Sequence, residues 1–145
     1  FSLLISFLSW GYLVPKISKN VSDAIKLLKF GAPLNLIVLA FIIYLGPKAG
    51  AYHWAFFAVS SVFLSLTQPA VGMAFSLSNA GKALTSFNLL LFIGAFALQW
   101  IIGVIIDLTM NLGYSEISGF RFAMMFFLLT SFFSYLFFLI RNYKN

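Results

Sequence analysis

Two amide side chains within one apolar stretch are the first candidates for chemistry in this sequence. Asn88 and Gln99 are 11 residues apart, so at about 100° per residue of an α-helix they lie within about 20° of the same face. Ala95 and Gly103 lie near that face. An amide in contact with lipid is costly, so we expect this face to point into a helix bundle or a wet cavity. The two amides could bind a substrate, or they could join helices through hydrogen bonds of about 0.6 kcal/mol each.

Three further candidates flank this pair. Gln68 and Pro69 lie deep in the preceding apolar stretch, and proline removes a backbone donor and bends a helix. Pro69 is therefore a hinge candidate, either as part of a gate or as plain helix geometry. Trp100 lies near the outer third of its own stretch, where it could line a cavity or serve only in packing.

The acidic residues and the histidine do not form a catalytic or metal-binding pattern. The acids are Asp23, Asp107 and Glu116, and none lies in the middle of an apolar stretch, where the proton relays of carriers usually lie. No zinc-protease, phosphate-loop, nucleophile-elbow or dinucleotide motif occurs. His53 stands beside Trp54 at the end of a stretch, which favours an interfacial position over proton coupling. The sequence therefore predicts no enzyme, no cofactor and no metal.

The elements that carry these residues must be membrane helices. Of 145 residues, 62% are hydrophobic and 8% are charged, whereas soluble domains have about 45–50% apolar and about 25% charged residues. A domain of this size cannot hide so much apolar surface from water. A soluble enzyme, a disordered tail and a secreted disulfide scaffold are excluded on this ground. The excess of cations over acids lies between apolar runs, as at membrane boundaries, and not on a polar surface for nucleic acid.

The uncharged gaps between charged residues predict the spans. A transmembrane helix needs about 20 mostly apolar residues, and four of the gaps can cross a membrane: 30–47, 49–81, 83–106 and 122–140. They place full spans at about 28–47, 53–76, 85–107 and 120–140. A fifth, 1–15, covers only about 22 Å and is interpreted as the end of a longer helix. None of the stretches alternates as barrel strands do. The prediction is an all-α, polytopic transmembrane helical bundle with four full spans and one partial span, in a single membrane domain, 1–145, whose Phe-rich last span faces lipid.

The distribution of lysine and arginine predicts the orientation. Seven of the nine cations lie in the first connection, the third connection and the C-terminal tail, against Lys48 and Arg121 elsewhere. The positive-inside rule places those three segments in the cytoplasm. We therefore expect an integral, multi-pass protein of a bacterial inner membrane with a cytoplasmic C-terminus. The lipid bilayer is an expected partner, and nucleic acid is not.

The first connection resembles a loop signature of the major facilitator superfamily of secondary transporters. In residues 11–20, GYLVPKISKN, Gly11 matches the first glycine of G-x-x-x-D-[RK]-x-G-[RK]-[RK], and Lys16 and Lys19 match two of its cations. Pro15 replaces the acid, and the second glycine and the last cation are also replaced. The family carries this signature between helices two and three and a degraded copy between helices eight and nine, which this loop is similar to. The lysines alone would also satisfy the positive-inside rule.

The resemblance continues through the rest of the chain. Residues 68–107 are similar to helices ten and eleven of bacterial members in their succession of small residues, short basic turn, Asn, Gly-Ala, Gln and Gly-x-x-x-Asp. Four spans follow the loop, as they follow the loop after helix eight in the family. The resemblance implies helices eight to twelve, which form most of the C-terminal half of a carrier, and since the sequence begins inside an apolar run we expect a longer chain.

The function implied is transport of a small solute by alternating access, in which two helical halves rock about a central site. The implied partners are the missing N-terminal half of the carrier and a small-molecule solute of unknown identity. The pathway candidates are then Gln68, Asn88, Gln99 and Trp100, and the loop motif is Gly11, Lys16 and Lys19. Two other functions stay open, namely a small membrane protein that oligomerises to form its own pore or carrier, and a membrane interaction or assembly subunit without transport.

Overall fold

A computed structural model of the protein describes the backbone of residues 2–17 and 20–143. It is 93% helical, and no strand occurs in the described residues. The prediction of an all-α bundle is therefore confirmed. Two short 3₁₀ segments, Gly46–Lys48 and Val62–Leu66, separate some of the six helices, which are α1 (Ser2–Ile17), α2 (Val21–Leu45), α3 (Ala51–Ser61), α4 (Thr67–Ala74), α5 (Leu77–Asn111) and α6 (Glu116–Tyr143).

Four helical segments are long and apolar enough to cross a membrane. They are Val21–Lys48, Ala51–Ala74, Leu77–Asn111 and Glu116–Asn142, and the shorter apolar helix Leu4–Leu13 precedes them. This matches the expected four full spans and one partial span. Three of these segments run past the predicted spans at both ends, because helical hydrogen bonding continues from the apolar run into the polar flanks. The segment Ala51–Ala74 instead begins and ends two residues earlier than the predicted 53–76. The chain is a membrane-embedded protein.

The boundaries of α2 follow from its flanking residues. Asn20 lies just before the helix, and its Oδ1 accepts a 2.9 Å hydrogen bond from the backbone N–H of Asp23, which satisfies one free donor of the first turn. At the other end, Gly46 has φ of 54°, a left-handed conformation that glycine adopts without strain. Pro47 follows and cannot continue the helix. The chain then turns directly into the next span.

Helix α2 lies at the centre of the bundle. It packs against α3, α4, the 3₁₀ segment Val62–Leu66 and α6, while α5 lies outside and packs against α4 and α6. In α5 the buried residue is Thr109. The outer faces of α5 and α6 expose many large apolar side chains, which is the surface expected toward lipid, where every backbone polar group must be satisfied within the helices. The core residues of α2 are Ala24, Leu28, Val38, Leu39 and Ile42.

A close contact at Gly31 fixes α1 and the third span against α2. A Cβ added at Gly31 would overlap the ring of Phe63, so the aromatic ring lies directly on the α2 backbone. The indole ring of Trp10, in α1, packs edge-on against Phe63 with the ring centroids 4.8 Å apart. Edge-to-face pairs of this kind favour association beyond their buried area. Gly31 is thus required by packing and not by a turn.

The third span is interrupted in its middle. Val62–Leu66 is a 3₁₀ helix between α3 and α4, and Pro69 follows three residues later. Proline has no N–H to donate to the Ser65 carbonyl and its ring crowds that carbonyl, which disfavours a regular α-helix through this point. The hydroxyls of Ser61, Ser65 and Thr67 each donate to the carbonyl oxygen three residues earlier, at 2.8, 2.7 and 2.8 Å. These bonds give the carbonyls of Ala58, Val62 and Leu64 a donor from within the same span.

Candidate functional site

A cavity of about 430 Å³ lies between α2, the interrupted third span, α5 and α6. This volume falls at the small end of the range of about 300–1,000 Å³ for ligand pockets. None of the described residues that line it is charged. Its apolar wall consists of Leu, Ala and Phe side chains, and its polar groups belong to Asn35, Thr67, Thr130, Ser131, Ser134 and Tyr135.

Asn35 is the buried amide of this wall. Its Nδ2 donates to Ser60 Oγ at 2.9 Å and to the Phe57 carbonyl oxygen at 3.3 Å, and Ser60 Oγ itself donates to Phe57 at 2.8 Å. Because a carbonyl only accepts, these contacts fix which end of the amide is Nδ2. The Oδ1 atom accepts no hydrogen bond from the described part of the chain. Asn35 therefore joins α2 to α3 and keeps one acceptor free.

Helix α6 supplies four hydroxyl groups to the cavity. Thr130 Oγ1 donates to the carbonyls of Phe126 and Phe127 in its own helix, at 3.0 Å each. Ser131 and Ser134 make no hydrogen bond with any residue that the structure describes. Two free hydroxyls and one free amide oxygen thus face the interior or rim of a mainly apolar space, which suits a ligand with few polar groups.

The fourth hydroxyl, that of Tyr135, replaces a hydrogen bond that is missing from the backbone of α2. Tyr135 Oη donates to the carbonyl oxygen of Lys29 at 2.8 Å. In a regular α-helix that carbonyl would accept from the residue four positions later, which here is Pro33 and has no N–H. Tyr135 therefore satisfies a carbonyl that Pro33 leaves without its helical donor. Lys29 Nζ also donates to the carbonyl of Asn142, at 3.4 Å.

Two of the predicted pathway residues meet outside this cavity. Gln68 Nε2 donates to Asn88 Oδ1 at 3.4 Å, which joins α4 to α5. Gln99 and Trp100 lie farther along α5, are exposed, and form no hydrogen bond within the described residues; Trp100 is 65% exposed. Gln68, Asn88 and Gln99 form what we call the amide surface, a strip of α4 and α5 in which Gln68 and Gln99 are exposed and Asn88 is half-buried.

The loop motif of the sequence lies largely on a helix. Helix α1 continues to Ile17, so Gly11 and Lys16 are helical residues. An added Cβ at Gly11 would meet nothing within 4 Å, and Lys16 Nζ lies 3.7 Å from the centroid of the Tyr12 ring. Lys19 lies outside the described residues. Gly11 and Lys16 are thus not brought to the cavity or to the amide surface.

The lipid-facing role expected for the last span holds for only one side of α6. Phe133 and Phe137 are 63% and 67% exposed, whereas Phe127 and Phe138 line the cavity together with the hydroxyl residues. The spacing of residues 130, 131, 134 and 135 places them on one side of a helix, and this was the signal available in the sequence. Asn35 gave a second signal, as a single amide in an otherwise apolar span.

Comparisons with known proteins assign no family to the chain. No protein-family model, no curated protein and no solved structure matches the chain. The functional inference therefore rests on the bundle, the interrupted span, the amide surface and the cavity.

Proposed function

We propose that the chain is part of a secondary carrier of the major facilitator type, which moves a small solute across a membrane by alternating access. The observation that carries this proposal is the amide surface. Asn88 and Gln99 lie about 9 Å and about 8 Å along the axis from the middle of α5, well inside a hydrocarbon core of about 30 Å. Lipid chains cannot hydrogen-bond to exposed amides. This surface therefore needs a polar cover.

The proposed cover is a second helical half and a water-filled pathway between the two halves. The resemblance of the sequence implies such a half, and the pathway would take Gln68, Asn88, Gln99 and Trp100 as lining residues. The end of the bundle nearest Lys29 and Arg141 would face the cytoplasm of a bacterial cell, together with the C-terminus. This orientation is the one that the positive-inside rule favours. The motif of Gly11, Lys16 and Lys19 would act at that same end.

The interrupted third span supports the same function. Broken helices recur in carriers next to the pathway, and a 3₁₀ stretch within a helix often marks a hinge. Here the stretch Val62–Leu66 ends two residues before Gln68 and three before Pro69, so a change in the bend would move the Gln68 side of the amide surface. Pro69 is the proposed hinge, and α4 is the proposed moving part.

Thiol labelling tests this function without knowledge of the solute. The described chain contains no cysteine, so Gln99→Cys in the full-length protein, with any cysteine elsewhere replaced, reports on one position. We expect a charged, membrane-impermeant methanethiosulfonate to react with it both in intact cells and in inside-out vesicles. Phe133→Cys, on the lipid-exposed side of α6, is the matched control and should resist the reagent from both sides.

The outcome separates a carrier from the other functions. Reaction from both sides requires that residue 99 lie in water, either in a pathway that opens to one side at a time or in a continuous pore. In a carrier, Pro69→Ala should then reduce labelling from one side. Pro47→Ala, which lies outside the interruption, should not. A continuous pore would keep both sides reactive in Pro69→Ala. If Gln99→Cys resists the reagent as Phe133→Cys does, the amide surface is covered by protein or lipid and the carrier proposal fails.

A further inference from the structure

The cavity extends toward the end of the bundle where α2 begins and α6 ends. Leu28 and Phe138 line it at that end. Lys29 follows Leu28 directly, and Arg141 lies three residues after Phe138, about 4.5 Å farther along the helix axis. The 3.4 Å bond from Lys29 Nζ to the Asn142 carbonyl oxygen places the ammonium group between the two helices.

The charge at this end is mainly positive. Lys26 and Lys29 lie in the second and third turns of α2, Arg141 lies in the last turn of α6, and the acid of these turns is Asp23. An ammonium group has three N–H donors, and Lys29 uses one of them on the Asn142 carbonyl. The remaining donors and the exposed Arg141 guanidinium can bind a phosphate at the membrane surface.

The interior of the cavity has the opposite character. Its described lining carries no charge, and most of its wall is apolar. It opens at the surface of the bundle, because two of its lining residues are exposed there: Leu64, at 41%, and Ser134. A hydrocarbon chain would leave the bilayer for this space at little cost, since both surroundings are apolar, so a headgroup would decide which lipid binds.

We propose that the cavity binds one acyl chain of an anionic phospholipid whose phosphate lies at Lys29 and Arg141. The free hydroxyl of Ser134 lies about 10 Å along α6 from Arg141, below the headgroup, where it can donate to an ester carbonyl oxygen of the lipid. Tyr135 cannot take this role while its hydroxyl is bound to the Lys29 carbonyl. The inference is independent of transport, because it concerns a lipid held within one bundle.

Native mass spectrometry of the full-length protein in detergent tests the headgroup. The probes are phosphatidylglycerol and phosphatidylcholine with the same acyl chains. A basic residue near a membrane surface raises the affinity for an anionic lipid by about fivefold. Lys29→Gln and Arg141→Gln should therefore each lower the affinity for phosphatidylglycerol by about fivefold, and together by about 25-fold. Phosphatidylcholine has the same phosphate but also a choline cation that cancels its net charge, so we expect it to bind more weakly and to lose less affinity in these variants. Lys48→Gln, at the opposite end of α2, is the matched control and should change neither lipid.

A second arm tests the acyl chain. Ser131→Phe fills the cavity and should weaken the binding of phosphatidylglycerol at least as much as Lys29→Gln does. Leu129→Phe, on the exposed side of the same helix, should not weaken it.

Inorganic phosphate should not displace the lipid. Equal affinity for the two lipids, or loss of binding in Lys48→Gln, overturns the proposal. Displacement by millimolar phosphate would show a phosphate site without a lipid chain, and it overturns the proposal too. Arg141 lies in the last turn of α6 and its side chain makes no hydrogen bond within the described residues, so its variant decides the question even if Ser131→Phe fails to fold.

Discussion

The Tyr135 hydroxyl donates a 2.8 Å hydrogen bond to the carbonyl oxygen of Lys29, which lies 106 residues earlier in the chain. The side chain of Lys29 donates in return to the carbonyl of Asn142 in α6, at 3.4 Å. The two bonds run in opposite directions between α2 and α6. They fasten α2 to α6 at the point where Pro33 removes a helical donor, and Tyr135 also lines the cavity.

Tyr135→Phe should lower the stability of the protein by about 1–2 kcal/mol, because it leaves the Lys29 carbonyl without a donor in an apolar setting. Pro33→Ala supplies the missing N–H from within α2, so the same change should cost less in a Pro33→Ala background. Thermal unfolding of the purified protein measures both effects. Tyr52→Phe, at a residue that is 89% exposed, is the control. An equal cost of Tyr135→Phe in both backgrounds would contradict the role of Pro33.

Asn35→Leu should destabilise the protein by about 1 kcal/mol, in the upper part of the range for hydrogen bonds between membrane helices, which average about 0.6 kcal/mol and reach about 1.7 kcal/mol. It removes both bonds of the Asn35 amide, to Ser60 and to Phe57. Ser60→Ala should cost less when Asn35 is already leucine, since the partner is gone. Asn111→Leu, at the exposed end of α5, serves as the comparison. Strict additivity of the Asn35 and Ser60 changes in thermal unfolding would refute this pair.

Gly31→Ala should destabilise the bundle by about 1–3 kcal/mol, as overpacking of a tight core does, because the added Cβ overlaps the Phe63 ring. Phe63→Leu should recover part of that loss, since the smaller side chain leaves room. Gly94→Ala is the matched control, because an added Cβ there meets nothing within 4 Å. The unfolding temperatures of the three single variants and the double variant measure the effect. A Gly31→Ala protein as stable as Gly94→Ala would show that the helices separate freely at this contact.

Asn88→Leu and Gln99→Leu should differ in their effects, although both residues lie on the amide surface. Asn88→Leu removes the bond from Gln68 and should cost about 0.6 kcal/mol. Gln99→Leu breaks no hydrogen bond within the described chain and should leave the unfolding temperature unchanged.

The effect of Gln99→Leu should instead appear in hydration. Ala95 lies between the two amides on the same face of α5, and Ala95→Cys reports on water there. We expect its reaction with the charged thiol reagent to slow severalfold in a Gln99→Leu background. An unchanged reaction rate would remove Gln99 from the pathway, and a fall in unfolding temperature as large as that of Asn88→Leu would assign it to packing.

The sequence alone determined the class of the protein and its helices. A backbone in lipid has no water to bind, so an apolar run of about 20 residues can only be a helix, whatever it packs against. The four spans and the short α1 follow from this local rule, and the irregularity near Pro69 follows from the N–H that proline lacks. The amide pair on α5 was also visible as a spacing, because helix geometry fixes the face on which residues 88 and 99 lie.

Only the tertiary structure decided which faces meet. In a soluble helix the apolar stripe marks the buried side, but here nearly every face is apolar, so periodicity could not assign α2 to the centre and α5 to the outside. The orphaned Lys29 carbonyl could be read from Pro33, yet its donor, Tyr135, comes from a helix more than a hundred residues away. Gln68 and Asn88 pair across two helices for the same reason. Such partners depend on the rotation of each helix within the bundle, which packing sets and the local sequence does not.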